Sequence, residues 1–172
     1  CEPTGVFAHN PEPLPQHLVQ ISSEIEKGRY DLGIVVDPDV DRLAFVCEDG
    51  GMFGEEYTLV AVADYVLSKQ PGGNTVSNLS STRALRDVTE KYGGKYFAAA
   101  VGEVNVVTAM KAHRAVIGGE GNGGVIYPAM HYGRDALTGL ALFLSHLAEF
   151  GYSVSRLRAT YPDYYISKNK IE

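Results

Sequence analysis

Between Leu32 and Asp49 the chain reads LGIVVDPDVDRLAFVCED, and this stretch narrows the possible folds more than any other. Leu32, Ile34, Val35 and Val36 make a short apolar run rich in β-branched residues, and Leu43 to Cys47 make a second. Runs of that length and composition predict strands. Between them stand Asp37, Asp39 and Asp41 at alternate positions, with Arg42 directly after. The expected local structure is strand, acidic loop, strand. Carboxylates so close together repel unless a cation sits among them. A hard divalent ion such as Mg²⁺ takes oxygen ligands and keeps an open coordination shell. Arg42 adds a planar cationic fork suited to a phosphate. The plainer alternative is an acidic surface loop with a satisfied arginine. DxDxDR pinned behind an apolar strand favours the metal.

Two other metal motifs share this pattern. An EF-hand loop also opens D-x-D-x-D, and Glu48 falls at its last ligand position. Arg42 stands where that loop needs glycine, however, Pro38 stiffens its second position, and the flanks read as strands. The EF-hand is therefore rejected. A haloacid-dehalogenase-like phosphatase also sets DxD behind an apolar strand, with the first Asp as nucleophile. It needs a later acidic pair that is not evident here, so it stands as an alternative.

The chain has 172 residues and is 45% hydrophobic, enough for one moderate domain or one domain plus part of another. A net charge of −6 with no basic run gives no electrostatic footprint for nucleic acid. No signal peptide and no run long enough to span a bilayer is evident, so no membrane partner and a cytoplasmic setting are expected. Cys47 in its apolar run reads as a packed thiol, not half of a disulfide with Cys1. The opening CEPTGVF has no start methionine and suggests a piece of a longer protein.

Residues 1–13 are proline-rich and read as extended; His9 reads as a loop histidine hydrogen-bonded locally, with a ligand role as the alternative. Leu14, Leu18, Ile21 and Ile25 predict a helix over 14–27, ended by Gly28. Beyond the acidic loop, helical periods predict helices from Glu55 to the Pro71-Gly72-Gly73 break, over 82–92, 103–113 and 134–150, and a short one over 153–159. Strands are predicted at 75–79, 95–101, 115–118, 125–127 and 164–167. The alternation predicts a layered α/β domain from about Glu55, with a mixed, mainly parallel sheet. The elements before it read as the C-terminal part of a similar α/β domain.

After the strand at 115–118 comes Gly118-Gly119-Glu120-Gly121-Asn122-Gly123-Gly124. Ligands in α/β sheets gather beyond the carboxyl ends of strands, and glycines let backbone approach them. Glu120 and Asn122 offer an acceptor and a donor–acceptor pair suited to vicinal hydroxyls. Glu120 would repel a phosphate, and no dinucleotide-binding unit follows. A flexible turn with a solvent-facing Glu remains open. Of the neighbours of the last long helix, Asp135 reads as a favourable first-turn charge, and Arg134 could reach the glycine loop. Tyr161, Tyr164 and Tyr165 read as packing a domain edge.

With both loops in hand, the chain resembles the α-D-phosphohexomutase family of phosphoglucomutases, phosphomannomutases and phosphoglucosamine mutases. Its members carry an acidic loop DGDxDR and a sugar loop GExSG; here these stand as DPDVDR (Asp37 to Arg42) and GEGNGG (Gly119 to Gly124). HNPEP (His9 to Pro13) and VGEVNV (Val101 to Val106) also have the family look. The resemblance implies the end of a second domain in residues 1–50 and a third domain in 51–172. It implies Asp37, Asp39 and Asp41 as Mg²⁺ ligands, Arg42 at the phosphoryl group or sugar, and Glu120 and Asn122 on sugar hydroxyls. The implied substrate is a hexose phosphate, moved between its O6 and O1 esters through a phosphoserine and a bisphosphorylated sugar. The serine-bearing first and phosphate-gripping fourth domains would lie outside this chain, with Lys168 and Lys170 leading toward the latter. The chain alone would be inactive. Pro38 replaces the usual glycine and Asn122 an often-found serine; Gly124 replaces a histidine of some members, a change that weakens the case for an acid–base role of this loop and blurs which sugar is preferred. A non-catalytic carbohydrate- or metal-binding module is the further alternative.

Overall fold

The computed structural model describes residues 4–7 and 10–166; His9, Cys1, Lys168 and Lys170 lie outside them. After a single 3-10 turn at Pro15–His17 comes helix α1, Val19–Ile25. The continuous helix expected over 14–27 is thus split. Pro15 starts a turn readily because its ring fixes φ and its missing N–H needs no partner there. Leu18 N closes that turn on the Pro15 carbonyl at 3.2 Å, and Leu18 itself leaves the helical region (φ −103°, ψ 13°).

Strands β1 (Leu32–Val36) and β2 (Leu43–Cys47) form an antiparallel pair, with Leu32 opposite Cys47 and Val36 opposite Leu43. All five residues of β2 are buried, whereas Ile34 and Val36 of β1 are exposed. Cys47 is a free buried thiol, pushed up to about 12 mainly by burial.

The rest is built from α2 (Glu55–Lys69), β3 (Asn74–Asn78), α3 (Ala84–Lys91), β4 (Tyr96–Ala99), α4 (Glu103–His113), β5 (Ala115–Glu120), β6 (Gly124–Ile126), α5 (Ala136–Phe150) and α6 (Val154–Arg158). The sheet order is β4-β3-β5-β6; β3 runs parallel to β4 and β5, and β6 runs antiparallel to β5. This is the expected mixed, mainly parallel sheet. Its two faces carry different helices because neighbouring strand residues alternate in direction. Ile117 and Val125 join the core formed with α2, α3 and α5, while Val76 and Ile126 join Val106 and Met110 of α4 on the opposite face. Helix α2 is buried nearly all round, lying between the sheet, β2 and α5.

The larger core also takes in β2. Phe45 stacks on Phe143 of α5 with ring centroids 3.8 Å apart, and Phe53 meets both rings edge-on. That trio anchors the acidic loop's exit strand to the helix that follows the glycine loop. Glu48, just beyond β2, accepts a hydrogen bond from Ser155 N at 3.0 Å and another from Ser155 Oγ. Burial alone would push its carboxyl up, but these bonds and Ser153 hold it down to about 2.

One further expected element changes. The strand expected at 164–167 is absent over 164–166, Ser167 lying outside the described residues. There Tyr164 N donates to Tyr57 Oη at 3.0 Å and Tyr164 Oη donates to Asp87 at 2.6 Å, so the backbone donor serves a side chain instead of a ladder. Tyr161 and Tyr164 pack as expected, but Tyr165 is 97% exposed.

Phe143→Ala is expected to lower unfolding stability by about 3–5 kcal/mol, since it empties a buried aromatic site; urea unfolding measures it. Glu48 is depressed in the folded state, so its stabilisation is full above its ordinary 4.5 and is lost as pH falls toward about 2. Glu48→Gln should therefore flatten the stability–pH curve in that window, read as the urea midpoint at stepwise lower pH.

Candidate active site

The acidic loop is built around Asp37 at the end of β1. Its Oδ1 accepts hydrogen bonds from the backbone N–H of Asp41 (3.1 Å) and Arg42 (3.0 Å), and Val40 N donates to the Asp37 carbonyl at 3.1 Å. This wraps the loop tightly and puts Val40 in the left-handed region at φ +58°. A β-branched residue there carries strain of about 1–3 kcal/mol. It is held from two sides: the Val40 side chain packs on the larger core, and its carbonyl accepts from Ala136 N, the first residue of α5, at 3.1 Å.

One carboxylate oxygen from each of Asp37, Asp39 and Asp41 lies within 4.8 Å of the others. Asp37 is buried, Asp41 half-buried and Asp39 exposed. Asp41 Oδ1 is buried with no hydrogen-bond partner; Arg42 Nε lies 3.8 Å from it. Burial raises the Asp41 carboxyl above its usual value; Arg134 opposes the rise, and Asp37 and Asp39 add to it. Arg42 lies back on the loop, its Nε 3.6 Å from Asp37 and 3.8 Å from Asp41, and its Nη1 3.4 Å from Glu12 in the HNPEP segment.

The glycine run differs from its expected form. Strand β5 continues to Glu120 and β6 starts at Gly124, leaving only Gly121-Asn122-Gly123 as a tight hairpin turn. Gly118 serves close packing rather than flexibility: a Cβ there would come within 2.6 Å of Met110 Sδ and 2.7 Å of the Val76 carbonyl. Gly123 N is part of the turn at φ +88°, and its carbonyl accepts from Leu43 N at 3.1 Å. The two loops are thus joined directly by a backbone hydrogen bond.

Glu120 is buried inside the hairpin and does not face solvent. Its Oε1 accepts from Asn78 Nδ2 (2.7 Å) and Gly102 N (3.3 Å), and its Oε2 accepts from Arg134 Nη1 (3.0 Å). Asn122 Oδ1 accepts from Gly124 N at 3.2 Å, which leaves its amide N–H donors uncommitted by that bond. Arg134, expected only as a residue able to reach this loop, is its hub. Besides Glu120 it pairs with Asp41 of the acidic loop through Nη2 and with Glu103, at the start of α4, through Nε at 3.1 Å. Asp135 proves to be the N-cap of α5, accepting from Thr138 N at 2.9 Å, and this fixes Arg134 one residue earlier. Sequence reasoning missed Glu103 and Asn78; the VGEVNV stretch was the one available sign of the former.

Residues 54–164 match the family described as "Phosphoglucomutase/phosphomannomutase, alpha/beta/alpha domain III", and residues 1–51 match "Phosphoglucomutase/phosphomannomutase, alpha/beta/alpha domain II". The chain belongs to the phosphoglucomutase/phosphomannomutase family. It is 34% identical to the "Phosphoglucomutase/phosphomannomutase" of Thermococcus kodakarensis, across 99% of this chain and 38% of that protein. It is 32% identical to the "Probable phosphoglucosamine mutase" of Methanopyrus kandleri, across 100% of this chain and 38% of that protein. The crystal structure of a phosphoglucomutase/phosphomannomutase family protein from Burkholderia thailandensis superposes with a TM-score of 0.80 at 28% identity, over 89% of this chain and 34% of the other. The chain therefore spans a little over a third of the relatives it matches. No described helix is long and apolar enough to cross a membrane.

Because the Gly123 turn has no room for a side chain against the Leu43 carbonyl, Gly123→Ala should destabilise the chain by about 1–3 kcal/mol. Thermal unfolding of the pair of proteins measures it, and an unchanged midpoint would mean the loops are not tied together here.

Proposed function

We propose that this chain supplies the metal-binding and sugar-binding walls of a phosphohexomutase active site. The observation that carries this reading is the junction of the two loops: the acidic loop and the glycine turn share a backbone hydrogen bond and a common arginine. Family membership supports the same reaction class, interconversion of hexose phosphates by moving a phosphoryl group between O6 and O1. The route would run through a phosphoserine and a bisphosphorylated sugar, with the serine-bearing and phosphate-gripping parts contributed from outside this chain. The chain by itself would then be inactive.

The acidic loop fits Mg²⁺. Asp37, Asp39 and Asp41 bring oxygens together, Asp41 Oδ1 has no hydrogen-bond partner, and among the described residues the ion pairs of Asp37, Asp41, Glu103 and Glu120 are all made with Arg42 and Arg134. When bound, the metal would neutralise charge on the transferred phosphoryl group. The two loop amides fix Asp37 with one oxygen turned away from them. Arg42, beside Asp37 and Asp41, would hold a phosphoryl oxygen or the sugar next to the metal. On the sugar side the free amide of Asn122 donates to a hydroxyl. Glu120 has one lone-pair site left after three hydrogen bonds, enough to accept from a neighbouring hydroxyl. The similar hydroxyl outlines of the two sugar orientations would let one such pair serve both.

The phosphatase alternative is not favoured by the family assignment. Calorimetry of Mg²⁺ with the chain should show a single site that Asp39→Ala abolishes. In a full-length protein carrying this chain, glucose 1-phosphate should be converted to glucose 6-phosphate only with Mg²⁺, and Asp39→Ala should lower kcat by roughly 10²-fold or more. Full activity in that variant would sink the metal assignment, and hydrolysis of a generic phosphate ester by the isolated chain would restore the phosphatase.

A further inference from the structure

We infer that Arg134 is a positioning residue that couples the two loops: it competes with the divalent cation for Asp41 and transmits the cation's arrival to Glu120 and the glycine turn. This rests on the metal reading above. Each of the three guanidinium nitrogens is committed to a different carboxylate. Nε pairs with Glu103 at 3.1 Å, Nη1 with Glu120 at 3.0 Å, and Nη2 with Asp41. The three partners come from α4, β5 and the acidic loop, so one rigid planar group ties together three segments distant in sequence. The backbone N–H of Arg134 also donates to Glu103 at 3.3 Å.

Asp41 is the shared member. One of its oxygens belongs to Arg134, while the other is buried without a hydrogen-bond partner, 3.8 Å from Arg42 Nε, and Asp41 offers an oxygen within 4.8 Å of those of Asp37 and Asp39. A divalent ion held by Asp41 would draw charge from the same carboxylate and repel the guanidinium. A planar fork cannot loosen one arm without turning the other two. The nearest of these ends on Glu120, whose remaining partners are Asn78 and Gly102. The arginine stem adds a second route. It lies so close over Gly124 that a Cβ there would come within 2.5 Å of Arg134 Cδ. Movement of the stem is therefore felt at the first residue of β6. The Leu43–Gly123 backbone bond also joins the loops but does not involve Arg134, so substitution at this residue separates the two connections.

The test uses the 172-residue chain, with Mg²⁺ affinity from calorimetry and amide hydrogen exchange at Gly121 to Gly124 measured with and without saturating Mg²⁺. In the wild-type chain, Mg²⁺ should change exchange in the turn. Arg134→Met should bind Mg²⁺ roughly threefold to tenfold more tightly, because a competing cation is gone, and the turn should no longer respond. Arg134→Lys keeps a point charge but not the three-way fork. It should show intermediate affinity and the same lost response, which a purely electrostatic role would not produce. Should either variant fail to fold, the Arg134 Nε–H resonance of the wild-type chain must shift when Mg²⁺ is added. Weaker Mg²⁺ binding by Arg134→Met, a turn response that survives in both variants, or an immobile Arg134 resonance with Mg²⁺ bound would each overturn the coupling while leaving the metal site standing. A wild-type chain that binds no Mg²⁺ removes the metal site and the coupling together.

Discussion

Burying a carboxylate is tolerable only when cations and hydrogen-bond donors surround it, and the arrangement of this site follows from that constraint. Glu120 sits inside a hairpin at 5% exposure, and it can do so because Asn78, Gly102 and Arg134 converge on it. Arg134 in turn is fixed by the capped start of α5, and α5 is held by the Phe45, Phe53 and Phe143 cluster. The same cluster fixes β2, and β2 sets where the acidic loop ends. Aromatic packing in the core thus helps to fix where the charged groups stand.

The acidic loop was legible because its signal is local. A β-branched run, alternating carboxylates and a second apolar run leave few other structures, and Val36 and Leu43 do flank the loop as strand ends. The helical periods in α2, α4 and α5 were legible for the same reason. Glycine's role was not. Gly118 was expected to end a strand and Gly119 to begin a loop, but both are strand residues whose missing side chains make room for Met110, the Val76 carbonyl and the Gly124 carbonyl. Those neighbours are assembled only by folding. The split at Leu18 was hidden by an apolar period that continues across it while Pro15 sets a separate turn.

The pairing partners of Glu120 were illegible for a related reason. Asn78 lies 42 residues away and the Arg134–Glu103 pair spans 31. Contacts at such separations leave no mark on local periodicity. The sequence identified the loop that carries Glu120 and the charge that carries Arg134. Only the sheet order β4-β3-β5-β6, which sets β3 beside β5, brings Asn78 against Glu120.

A hairpin closed by three residues and moored to Leu43 at its tip has little freedom to reshape itself around a guest. On the proposed reading, a hexose must present first one end and then the other to the transferring group. This wall would stay put during that reversal. The turning would be done by the ligand, or by parts of the protein beyond these residues, and selectivity among epimers would come from a fixed outline rather than from closure around each sugar in turn.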